Sequence, residues 1–120
     1  MASQYQKGLD ASVEVLRTLA EKLDETMPLR TALVFVKIAQ RVGQNPNDLP
    51  DVSSIAEELD IPSPIMSRDV GILSKFSRSE KGGGLEVVES LMDLQDRRRR
   101  RLKLTSKGSK IAEEIARKIK

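Results

Sequence analysis

Five consecutive arginines, Arg97 to Arg101, run directly into Leu102, Lys103, Leu104 and Thr105, and this stretch constrains the fold more than any other. From Arg101 to Leu104 charge and leucine alternate. That is the period of a strand with one face buried and the other in water. A strand has to pair its backbone groups. The nearest partner is "LEVVESLM", residues 85–92, across the turn formers "DLQD", residues 93–96. The pattern predicts a β-hairpin. Strand parity then divides the run: Arg99, Arg101 and Lys103 share one face, and Arg98 and Arg100 share the other with Leu102 and Leu104.

Before the hairpin the apolar period is helical. In residues 9–27, Val13, Leu16, Ala20, Leu23 and Met27 make a seam that faces another helix, widened by Val15 and Leu19. The chain's own core and a second copy both fit that seam. Pro28 can open a second helix, residues 29–42, through Leu33, Val36, Ile38, Ala39 and Val42, which "GQNPNDLP" ends. Ser54 and Glu57 read as a capping box for a helix of about two turns with Ile55, Ala56 and Leu59 on one stripe. After Ile61 and Pro62, Ser63 is expected to cap a fourth helix, with Pro64 at its first position, running to about Phe76.

That fourth helix has two faces. Met66, Val70 and Leu73 should point inward. Pro64, Ser67, Arg68, Gly71 and Lys75 make the opposite face small, polar and cationic. A short helix, a tight turn and a second helix of this kind form a helix-turn-helix pattern. Ser106 is expected to cap a last helix, residues 107–120, carrying Ile111, Ala112, Ile115, Ala116 and Ile119. The expected fold is mainly α with a small β-hairpin, in the order α-α-α-α-β-β-α: a winged helix-turn-helix.

Composition narrows the function. The 120 residues, 38% hydrophobic, suit one domain with a core. Aromatics are 2%, which argues against stacking bases on rings. With no Cys and no His, the chain lacks thiolate chemistry, disulfides, the usual zinc ligands and the commonest acid–base residue. Gly82-Gly83-Gly84 has no following Lys-Ser/Thr and reads as a turn. Neither an enzyme nor a cofactor is expected. No apolar run approaches the ~20 residues that span a membrane, and no secretory signal opens the chain, so a soluble, cytoplasmic protein is expected. Residues 1–60 carry six Lys/Arg and ten Asp/Glu, and residues 61–120 carry fifteen and eight. The second half, at +7 against −4, is the half expected to meet a polyanion.

Three segments resemble the MarR family of transcription regulators. "SSIAEELDIPSPIMSRDVGIL" is similar to its helix-turn-helix, and "TALVFVKIAQ" to its second helix. "DLQDRRRRRLKLTSKG" resembles its wing and next helix start, D-x-x-D-R-R then L-x-L-T-x-x-G, at Asp93, Asp96, Arg97, Arg98, Leu102, Leu104, Thr105 and Gly108. The resemblance covers about residues 29–119. It departs in a longer, glycine-rich link at 77–84, in Pro62 and Pro64 beside the fourth helix, and in a short C-terminus.

The resemblance implies a homodimeric regulator of double-stranded DNA, with a recognition helix in the major groove and a wing in the minor groove. It assigns Arg98 to the minor groove and Asp96 to hold it. Arg97, Arg99, Arg100 and Arg101 become phosphate neutralisers, and Lys103 joins the DNA-binding wing. Ser63, Pro64, Ser67, Arg68, Gly71 and Lys75 line the recognition helix, where Arg68 can read a guanine, touch phosphate or pair with Asp69. Residues 1–27 and 106–120 are the expected dimerisation elements, through Val13, Leu16, Ala20, Leu23, Ile111, Ile115 and Ile119, flanking a DNA-binding domain at 28–105. Many members bind small anionic or phenolic effectors, for which no pocket is legible here. The alternative is a winged-helix protein-interaction module, for example one that binds polymerase or a regulator, with only non-specific nucleic-acid affinity. RNA or non-specific binding through the arginine run is a third possibility.

Overall fold

The computed structural model describes residues 6–74, 84–96 and 99–119. The elements are α1 (Gln6–Lys22), α2 (Leu29–Gln44), α3 (Val52–Leu59), α4 (Ser63–Leu73), β1 (Val88–Met92), β2 (Arg100–Leu104) and α5 (Ser106–Arg117). Their order is that of a winged helix-turn-helix, as the sequence predicts. α2 is the central helix: its Ala32, Val34, Phe35 and Ile38 are buried. Leu19 of α1, Ile55 and Ala56 of α3, Met66, Val70 and Leu73 of α4, Val87 just before the hairpin, Val88 and Leu102 within it, and Ile111 and Ile115 of α5 complete the core. Each of the larger side chains contributes roughly 1.5–3 kcal/mol by leaving water.

The hairpin is antiparallel, with Val88 opposite Leu104, Ser90 opposite Leu102 and Met92 opposite Arg100. A third backbone segment completes it. Asp51 bridges to Arg101, and Leu102 N–H donates to the Pro50 carbonyl at 2.9 Å. The wing is thereby tied to the chain just before α3. Residues 85–87, expected to begin the first strand, instead seal it to the body: Leu85 N–H donates to Ile72 O and Val87 N–H to Leu73 O, both at 2.9 Å. Thr105 accepts from Gly108 N–H at 3.0 Å and donates to Glu86 O at 2.6 Å. A Cβ on Gly108 would overlap the Val87 carbonyl, so only glycine allows this approach.

Three helix starts shift from their expected positions. Asp51, not the Ser54 and Glu57 pair, caps α3, its carboxylate accepting from Ser54 N–H at 2.7 Å. Asp lies three residues before Ser54, and a carboxylate is the stronger acceptor at a positive helix end. Pro62 precedes α4, so Ser63 and Pro64 lie inside its first turn and Ser63 makes no cap. Thr105, not Ser106, caps α5. α1 stops at Lys22 rather than near Met27, because Asp24 turns the chain by accepting from both the Thr26 N–H and its hydroxyl. α4 ends at Leu73, capped by Ser74, and the expected end at Phe76 lies outside the described residues.

One charge sits inside. Asp69, on the inward face of α4, is fully buried. Arg30 of α2 grips it from Nε at 2.7 Å and Nη2 at 3.0 Å, and the Thr31 hydroxyl donates to it at 2.8 Å. Arg30 is 38% exposed, so the pair reaches from solvent into the core. Removing the cation strands a buried carboxylate. Arg30→Met should cost on the order of 3 kcal/mol in urea unfolding. The double variant Arg30→Met with Asp69→Leu should recover most of that loss.

Candidate nucleic-acid interface

α4 presents an outward face because its inward one is fixed. Met66, Asp69, Val70 and Leu73 are buried, whereas Ser63, Pro64, Ser67 and Arg68 are exposed and Gly71 is half-buried. The turn before α4 is tight: Asp60 adopts the left-handed conformation at φ 57°, and its N–H and that of Ile61 close onto the last turn of α3. Asp tolerates this geometry better than most residues. Arg68 forms no ion pair among the described residues, because its neighbour Asp69 points inward to Arg30. The Arg68–Asp69 pairing considered from sequence is therefore absent. Lys75 lies outside the described residues.

The arginine run separates as strand parity requires, but with different partners. Arg99 donates from Nη2 to Asp51 at 2.5 Å. Arg101 donates to the Leu49 carbonyl at 2.7 Å and to Asp93 at 3.2 Å, with Asp48 at 3.5 Å. Lys103 lies 3.4 Å from Glu89 across the ladder. Arg99 and Arg101, expected to neutralise phosphates, thus face acidic groups of their own chain. Arg100 is exposed and unpaired among the described residues. Arg97 and Arg98 lie outside the described residues, and with them the expected Asp96–Arg98 pairing.

The acidic partners were missed in the sequence, although "NDLPD" carries the signal: Asp48 and Asp51 flank a turn just ahead of a helix. Asp51 does two jobs, capping α3 and holding Arg99. Burial pushes its carboxyl up, but the Ser54 N–H and the Arg99 guanidinium outweigh this, and the net shift is below the usual carboxylate range. Asp93 is also held low, first by the Gln95 N–H, with Arg101 adding to it against burial.

Apolar side chains also reach the surface. Leu9, Val13 and Leu16 on α1, Leu29, Leu33 and Val36 on α2, and Ile119 after α5 are exposed. In α1 the core contacts come from Leu19, which is buried, and Val15, so Val13, Leu16 and Ala20 of the expected seam face outward, while its last two members, Leu23 and Met27, lie after the helix and pack against the core. Ile111 and Ile115 are a correction: grouped with the dimerisation residues, they are buried in this chain's own core.

No family model and no curated protein matches the sequence. Solved structures do. The S. aureus MepR–DNA complex aligns at TM-score 0.57 and 18% identity, over 94% of this chain and 73% of that one. The PcaV transcriptional regulator from Streptomyces coelicolor, in complex with its natural ligand, aligns at 0.55 and 16%, over 99% and 77%. The adhesin competence repressor AdcR from Streptococcus pyogenes aligns at 0.55 and 17%, over 96% and 72%. The chain shares their winged helix-turn-helix fold.

Asp51 has a pH signature. Its folded carboxyl is shifted down, so its contribution is complete above the ordinary unfolded value of ~3.9 and is lost as pH falls through the lower folded value. Asp51→Asn keeps a capping side chain and removes the charge. Unfolding curves across pH should show a loss of about 1 kcal/mol at neutral pH. They should also show a shallower decline below about pH 4 than in the parent chain.

Proposed function

We propose that this chain is a double-stranded DNA-binding transcription regulator that acts as a homodimer. The observation that carries this reading is α4 itself. Its buried face is anchored by Asp69, and its outer face presents Ser63 in the first turn, the end that meets base edges in such motifs, followed by Ser67 and, at the middle of the helix, Arg68, unpaired among the described residues. Ser63 and Pro64 border the phosphates there, and Gly71 lets the helix approach the backbone. Arg68 pairs bidentately with guanine in the major groove. The hairpin reaches the adjacent minor groove, which Arg98 enters while Arg97 and Arg100 neutralise the flanking phosphates. The likeness to a MepR–DNA complex supports DNA as the partner.

The dimer is supported by the outward seam of α1 and the outer face of α2. Between α2 and α5, Val36, Ala39, Ala112, Ala116 and Ile119 help line an apolar hollow of about 240 Å³. A second copy laid there would remove this surface from water. In this reading Val13, Leu16, Ala20 and Ile119 supply the interface.

Selection of bound sequences from random duplexes tests the whole. Two half-sites about one helical turn apart, 10–10.5 bp, are expected from a two-fold dimer. Failure to enrich any duplex at physiological salt would favour the protein-interaction alternative. On the selected site, Arg68→Ala should relax preference at one base pair, worth roughly 1–3 kcal/mol. Arg100→Ala should instead weaken all duplexes alike and lower the salt slope by about one unit. A separate check is assembly: Leu16→Glu should convert the sedimenting species from dimer to monomer with its helical content intact.

A further inference from the structure

The tip of the hairpin carries something that a phosphate clamp does not need. Leu94 is 94% exposed, the most exposed large apolar side chain among the described residues. Met92, two residues earlier, is 48% exposed. A single surface leucine is ordinary, but three features set this one apart.

First, the turn that displays it is fixed. The Asp93 carboxylate accepts from Gln95 N–H at 2.9 Å and from Asp96 N–H at 3.4 Å, and it also holds Arg101. Asp93 N–H donates to Arg99 O at 3.1 Å, and Arg99 N–H to Asp96 O at 3.0 Å. Leu94 is thus presented by a hydrogen-bonded turn. Second, Met92 stands directly opposite Arg100 in the ladder, so an apolar and a cationic side chain share one face where the hairpin has left the core. Third, the minor groove, ~6 Å wide, is too narrow for an α-helix but open to single side chains that project from a hairpin. The walls of that groove are sugar and its floor is base edges, so it accepts apolar atoms that phosphates repel.

We propose that Leu94, backed by Met92, is an apolar wedge that enters the minor groove and partly unstacks a base step, with Arg100 anchoring the tip. This rests on the duplex-DNA reading above. Side chains of this kind, Leu and Met among them, open base steps and kink the duplex toward the major groove. Pyrimidine–purine steps, TA and CA/TG, yield most easily. The wing then selects sequence through deformability, at a step where it makes no hydrogen bond to a base.

The test uses the full chain and its selected duplex, with 2-aminopurine tiled through the flanks one position at a time. The parent protein should raise fluorescence several-fold at one flexible step in each flank and bend the site in permuted-position gel shifts. Leu94→Ala should lose most of that signal, reduce the bend and bind about tenfold more weakly, with an unchanged salt slope because no phosphate contact is removed. Leu94→Met should restore all three. If Leu94→Ala binds and bends the duplex as the parent does, the wedge is wrong and the regulator reading stands. If the parent enriches no duplex at all, both readings fall together.

Discussion

Asp69 has no access to water, so its charge has to be answered from within the protein. The answer comes from one helix, through Arg30 and Thr31 at successive positions of α2. Two parallel guanidinium bonds fix direction as well as distance. The recognition-type helix is therefore held in rotation about its own axis, beyond what Met66, Val70 and Leu73 would hold by packing alone. Were α4 to roll, the carboxylate would lose its partners and Arg68 would leave the outer face. A buried pair of this kind adds little net stability over a hydrophobic substitute. What it contributes here is geometry.

The arginine run obeys the same logic with the signs reversed. A block of five cations repels itself and is disordered in isolation. Here the loop before α3 and the hairpin turn supply acids where two of them fall. Asp51 takes Arg99, while Asp93, Asp48 and the Leu49 carbonyl take Arg101. Those two arginines hold the wing at a set angle to the helix-turn-helix. Arg100, on the other parity, faces outward. Alternation of the backbone turns one run into structural cations and a presented one.

Parity and period were legible in the sequence, and they carried most of the fold. Leu102 and Leu104 announced the hairpin, and Met66, Val70 and Leu73 announced the inner face of α4, because those patterns are local. Helix starts were less legible. Ser54, Ser63 and Ser106 each suit a cap, but Asp51, Pro62 and Thr105 occupy those positions. At α3 and α5 several oxygen-bearing residues crowd the start, and tertiary contacts decide among them: Thr105 also reaches Glu86, and Asp51 also holds Arg99. Least legible was the Arg30–Asp69 pair. Its members lie 39 positions apart, and next to Arg68 the aspartate reads as a surface partner. Ile111 and Ile115 misled for a related reason, since an apolar stripe states that a face is covered and not by which chain.

α2 joins these threads. Its inner side buries Phe35 and Ile38, its first turn grips Asp69, and its outer side shows Leu29, Leu33 and Val36 to solvent. A helix is stiff over 16 residues, so a body seated on the outer side is registered to α4 through one rigid element and one buried ion pair. No flexible loop lies in that path. Under the proposed dimer, the separation of the two recognition helices is then set by packing at the outer face of α2. A change of an ångström or two at that face would pass undiminished to Arg68, because close-packed elements shift as bodies and do not absorb displacement gradually. Half-site spacing and dimer packing are, on this view, one geometric quantity measured at two ends of the same helix pair.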